Sequence, residues 1–176
     1  ADSTHSGASR AGGFDKIVTI TQTSLLDDSK TYAVCYADYS GTMSDSSWAD
    51  SYIRLQISLL ESFSSHGITH YTSGNLARVS TLYLSFTGTL PAGKWISIVS
   101  ASLGGDFACA DSTQVAAGAD STHSGALLYS GASGKQVTLN SASFDTSATF
   151  AACYDKYWFG NGTDTWQDSG IRFSFS

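Results

Sequence analysis

An internal repeat constrains this chain more than any other feature. The heptapeptide ADSTHSG occupies residues 1–7 and returns word for word at 119–125. KIVTI (16–20), TYAVCYADY (31–39) and WADSYIRLQIS (48–58) are answered by KQVTL (135–139), TFAACYDKY (149–157) and WQDSGIRFSFS (166–176). Cys35 corresponds to Cys153, Trp48 to Trp166, Asp50 to Asp168 and Arg54 to Arg172, all at the offset of 118 residues that separates the heptapeptides. One offset shared by the heptapeptides and these four pairs marks a true repeat. A period of this size is that of a domain, not of a solenoid unit.

One complete period spans residues 59–176, and residues 1–58 carry only the second half of another. Two domains are expected: a half module at 1–58, possible to complete from a neighbouring copy, and a complete module at 59–176. Such a unit reads as a slice through a longer tandem array, or as a building block finished by its neighbour. A half module alone exposes strand edges and an apolar face, which is unfavourable for a monomer.

Composition fits an exported β protein. Charged residues make up 14%, against roughly 25% in typical soluble domains. Hydrophobic residues at 41% suffice for a core, so the composition is not that of a disordered chain. A net charge of −6 gives no electrostatic ground for binding nucleic acid or an anionic membrane. No run approaches the ~18–20 apolar residues of a membrane helix, so no membrane insertion is expected. No basic-then-apolar leader opens the sequence; for a secreted protein it would have been removed or would lie upstream.

The local pattern reads as strands almost throughout. VTITQ (18–22), TYAVCYA (31–37), YIRLQIS (52–58), TLYLSF (81–86), KWISIVSA (94–101), KQVTL, TFAACYDKYWF (149–159) and IRFSFS (171–176) are rich in β-branched and aromatic residues. Turn signals separate them: TGTLPAGK around Pro91, SLGGD at 102–106, SGASGK at 130–135 and FGNGTD at 159–164. Short strands at this spacing predict an all-β fold of β-sandwich type. LQISLLESFSSHG (55–67) is the one helical candidate, and it reads better as a strand running into a loop. ADSTHSG reads as a linker and turn leading into KIVTI or KQVTL.

Three cysteines in an acidic, Ser/Thr-rich chain point to an oxidising compartment with one thiol left over. Cys109 and Cys153 lie in the same complete period, each beside a predicted strand, and are the expected intra-module pair. Cys35 is then either a buried free thiol or a disulfide partner for a neighbouring repeat or subunit. Pairing of Cys35 with Cys109, leaving Cys153 free, is an open alternative.

The pattern [YF]A-x-CYA, a Gly/Ser/Asp loop and then W-x-DS-x-IR-[LF] resembles tandem repeats in large inferred surface proteins of algae and other protists. The matching residues are 32–37 with 48–55 and 150–154 with 166–173. The resemblance implies Ig-like extracellular β-sandwich modules in tandem, and surface architecture instead of a reaction. The second copy departs from the first at Asp155 and Lys156 and carries Trp158 and Phe159 in the following loop.

No catalytic constellation stands out. His66 and His70 are spaced for one helix face, but no HExxH glutamate accompanies them and Gly67 opposes a helix. His5 and His123 belong to the repeated heptapeptide, which argues for a structural role in each unit. There is no G-x-S-x-G elbow, CxxC, P-loop or dinucleotide fingerprint. The chain is therefore not expected to be an enzyme or to need a cofactor or metal. Two features suit recognition. Tyr157, Trp158 and Phe159 are of a kind that stacks on sugar rings, with Asp155, Asp164 and Asp168 nearby to bind hydroxyls or calcium. Against this, Trp166 reads as a core residue and the others as filling between modules. Asn161 opens an N-x-[ST] glycosylation sequon. Asp50/Arg54 and Asp168/Arg172 read as ion pairs.

The function expected from these readings is structural. The chain is a component of a secreted or cell-surface assembly, a head-to-tail filament of glycosylated Ig-like repeats held by strand complementation and disulfides between copies of itself. The alternative is a carbohydrate-binding or adhesion module using the aromatic loop.

Overall fold

The computed structural model describes residues 2–11, 18, 20, 26–105, 107–132, 134–155 and 165–176. Among these residues it is all-β apart from one short helix, and the chain divides into two compact units, Ala1–Ile57 and Ser58–Ser176.

Unit 1 contains, among its described residues, a single two-stranded antiparallel sheet. Its strands are β1 (Thr31–Tyr36) and β2 (Ala49–Gln56). The connection between them is organised by Asp45. Its carboxylate accepts from the amides of Ser40 (2.7 Å), Gly41 (2.8 Å) and Ser47 (2.9 Å), and from the Ser47 hydroxyl. The Ser47 hydroxyl and amide, then the Gly41 amide, hold this carboxyl well below the ordinary carboxylate range.

Unit 2 holds β3 (Leu60–Ser65), β4 (Ile68–His70), β5 (Ser73–Leu76), β6 (Leu82–Gly88), β7 (Lys94–Ser100), α1 (Ser112–Val115), β8 (Leu127–Tyr129), β9 (Gln136–Leu139), β10 (Phe150–Asp155) and β11 (Trp166–Phe175). One sheet runs β5-β11-β10-β7-β8 and the other β4-β3-β6-β9. All pairings are antiparallel except β5 with β11. The first sheet interleaves strands from 59–118 with strands from 119–176, and β9 of the second half adds an edge strand to β4-β3-β6 of the first, so each sheet is completed only by both halves of the period.

Alternation along the strands sends one set of side chains to each face. Phe63 of β3, Leu84 and Phe86 of β6 and Val137 of β9 meet Ile96 and Ile98 of β7, Phe150 of β10 and Phe173 of β11 in one buried cluster. The Phe63 and Phe173 rings meet edge to face at 5.5 Å. The residues of opposite parity, Val99, Ala151, Cys153 and Trp166, form a second cluster on the other face with Ala108, Cys109 and Val115. The segment after β7 supplies that cover. Asp111 caps α1 by accepting from the Gln114 amide, and the Ser97 hydroxyl on β7 donates to the Val115 carbonyl at 2.8 Å.

The predicted helical candidate at 55–67 is divided between the end of β2 and the whole of β3. It ends in a two-residue hairpin loop, His66-Gly67, with φ of 51° and 79°. Positive φ at both positions is the type I′ geometry that matches strand twist, and glycine meets it at least cost. The predicted strand at 18–22 and the loop at 159–164 lie wholly or mostly outside the described residues.

Candidate functional site

The repeated DS-x-IR motif builds the same bulged hairpin twice. In unit 1, Tyr32 faces Leu55, Ala33 faces Arg54, Cys35 faces Asp50 and Tyr36 faces Ala49, with a register break between Ala33 and Cys35. In unit 2 the corresponding pairs are Phe150–Phe173, Ala151–Arg172, Cys153–Asp168 and Tyr154–Gln167, with the break at the same place. A bulge leaves a carbonyl without its ladder partner. The serine of the motif satisfies it: Ser51 donates to the Val34 carbonyl at 2.6 Å, and Ser169 to that of Ala152 at 2.7 Å. The aspartate accepts from the amide two residues on and clamps the arginine through both oxygens at 2.8 and 2.7 Å in each copy. In unit 1 the Arg54 guanidinium and the Tyr52 amide push the Asp50 carboxyl down to about 2.

The variable position of the motif is left-handed in both copies, with φ of 63° at Tyr52 and 79° at Gly170. A Cβ at Gly170 would meet no atom within 4 Å, so a side chain there costs only conformational energy. Gly170→Ala is expected to destabilise unit 2 by about 1–2 kcal/mol, and Tyr52→Gly to relieve a similar strain in unit 1. Urea midpoints of the two variants should move in opposite directions.

Identical backbone geometry carries opposite burial. Ile171 and Phe173 are each 1% exposed, while Ile53 and Leu55, their counterparts, are 56% and 40% exposed. Trp166 is 4% exposed and Trp48 is 42%. Both faces of the unit 1 hairpin therefore present apolar side chains that in unit 2 belong to the two buried clusters. Among the described residues both of its edges are also open within the unit. In unit 2, β10 is flanked by β7 and β11 by β5, whereas the unit 1 sheet stops at β1 and β2.

The heptapeptide repeats its geometry too. Asp120 accepts from the amides of Thr122 (2.6 Å) and His123 (2.9 Å) and bonds His123 Nδ1 (2.8 Å); Asp2 does the same for Thr4 (2.7 Å) and His5 (2.9 and 2.9 Å). The Thr122 amide and the His123 ring hold the Asp120 carboxyl well below the ordinary range. In unit 2, however, this segment is more than a linker. His123 bridges Val99, the Ser100 amide donates to the Thr122 carbonyl, and the Ser124 amide to that of Ile98. It thus extends β8 along the edge of β7, because a bent turn with outward amides can dock on a strand that local sequence does not reveal.

The remaining predicted positions fall as follows. Cys109 and Cys153 are joined by a disulfide, with their Cα atoms 5.7 Å apart. Cys35 is an exposed free thiol, not a buried one. His66 sits in the β3–β4 turn, and His70 packs edge to face on Phe173 at 6.1 Å. Asp168 is engaged by Arg172, and Asp155 is fully buried. Tyr157, Trp158, Phe159, Asn161 and Asp164 lie outside the described residues. Among the described residues no group of three His, Cys, Asp or Glu side chains is placed to hold a metal, and no helix is long and apolar enough to cross a membrane. A concavity of about 420 Å³ is lined by Ser100, Ala101, Ser102, Ser147, Ala148 and Thr149, which offer hydroxyls and methyls but no titratable group.

No protein-family model, curated protein or solved structure matches the chain significantly.

Proposed function

We propose that this chain is a structural component of a secreted or cell-surface assembly, in which Ig-like β-sandwich repeats join head to tail by strand complementation and disulfides. The observation that carries this reading is the unit 1 hairpin. It keeps the register, bulge and clamp of β10–β11, yet among the described residues its edges are unpaired and its apolar faces exposed where unit 2 covers them. A lone two-stranded sheet is marginal in water, and an open apolar edge is a template for pairing with further strands. Added strands stabilise such a site through main-chain hydrogen bonds and pockets for alternate side chains. Head-to-tail contacts of this kind need not close and can extend into a filament. The Cys109–Cys153 disulfide fits an oxidising, non-cytosolic setting, and Asn161 is the glycan acceptor in this reading.

Electron microscopy of the native material is expected to show fibres. Non-reducing electrophoresis is expected to show a ladder or a much larger parent chain. Uniform isolated globules together with a single monomer band would overturn the reading.

A further inference from the structure

Among the described residues, three separate stretches of unit 1 lack the same partner. In unit 2, β7 pairs with β10 on one side, and on the other with β8 and with residues 122–124. Their counterparts in unit 1 are β1, residues 9–11 and residues 4–6. Residues 9–11 form no strand, whereas β8 does. The turn at 2–7 is already set by Asp2, as its counterpart is by Asp120. In unit 2 the counterparts of all three converge on one strand, β7.

Resting on the strand-complementation reading, we infer that unit 1 is a receptor for a first-half repeat segment patterned on residues 59–118, whose β7-type strand inserts beside β1 and whose cysteine, placed like Cys109, bonds Cys35. Transferring the β7–β10 register places Tyr36 opposite the Ile96 position, Cys35 opposite Ser97, Val34 opposite Ile98 and Tyr32 opposite Ser100. The segment following that strand covers Trp48 and Cys35, as residues 101–118 cover Trp166 and Cys153. Within unit 2 the first half, 59–118, is already engaged with 119–176, so the segment comes from a further repeat. In forming the bond, the two thiols each lose a hydrogen to a small disulfide, which is reduced to two thiols as the new S–S bond closes.

The test uses the full chain and a synthetic peptide of residues 94–110, KWISIVSASLGGDFACA, supplied as its mixed disulfide with glutathione. Attack by the Cys35 thiolate on the peptide sulfur breaks the bond to glutathione and releases glutathione thiolate, so no further oxidant is needed. A docked strand presents its sulfur at millimolar effective concentration. Coupling at Cys35 is therefore expected to be at least about tenfold faster than with a peptide carrying Asp at the Ile96 and Ile98 positions. Peptide mapping by mass spectrometry locates the bond. Cys35→Ser should abolish coupling but keep peptide-dependent hydrogen-exchange protection of the β1 amides. Equal rates for the two peptides, coupling at Cys153, or Cys35–Cys35 dimers outrunning the peptide would overturn the inference. Fibres in the native material without preferential coupling would leave the assembly reading standing and sink only this partner; globular material without coupling would sink both.

Discussion

Replacing Phe173 with alanine is expected to cost unit 2 about 3–5 kcal/mol, the range for emptying a phenylalanine site in a packed core. Phe173 is 1% exposed and lies edge to face with both Phe63 and His70. The same change at the corresponding Leu55 is expected to move stability by no more than about 0.5 kcal/mol, as at an ordinary surface position. Urea unfolding of the full chain, followed by the midpoint of the main transition, measures both. The contrast is informative because the two residues share one register position in the same bulged hairpin. A Leu55→Ala penalty approaching that of Phe173→Ala would show that the hairpin is covered without a partner. In the presence of a complementing segment the Leu55 penalty should appear, as weaker binding of that segment.

Opening the Cys109–Cys153 disulfide has the second large effect. The bond spans 44 residues, and in the chain-entropy picture a loop of that length stabilises the folded state by about 4 kcal/mol. The double variant Cys109→Ser, Cys153→Ser is thus expected to melt about 15 °C lower. Loss of the bond also frees the segment that covers Ala151 and Trp166, so tryptophan fluorescence should report exposure of Trp166. Cys35→Ser, by contrast, should leave the melting temperature unchanged, since its thiol is exposed and forms no disulfide in this chain. An unchanged melting temperature for the double variant would mean that the 101–118 segment is held by packing alone.

Much of the strand pattern was legible because it is written locally. KWISIVSA, TFAACYDKY and WQDSGIRFSFS announce β7, β10 and β11 through β-branched and aromatic residues, and Pro91 with Gly93 announces the turn before β7. The role of DS-x-IR as a bulge clamp was only half legible. Spacing suggested the ion pair, but the serine bond to a carbonyl 17 residues away and the left-handed residue between them depend on the pairing of two strands. ADSTHSG was legible as a turn and not as an edge partner of β7, because its docking amides carry no side-chain signature. The parallel approach of β5 to β11 was equally hidden. SGNL has weak strand character, and Gly74 is required there because a Cβ would lie 2.0 Å from His70 Nδ1, a residue in another element.

From the sequence alone follow the repeat, the all-β character, the positions of β1, β2, β6, β7, β9, β10 and β11, and the near-identity of the two hairpins. These rest on backbone hydrogen bonding and on side chains within a few residues or one strand pair, which the same motif reproduces wherever it stands. Only the tertiary structure decided which copy is buried. Ile53 and Ile171 occupy the same place in the same motif, yet one is exposed and the other enclosed. Burial is set by strands brought from elsewhere in the chain, and unit 2 has β3, β5, β6 and β7 to supply it.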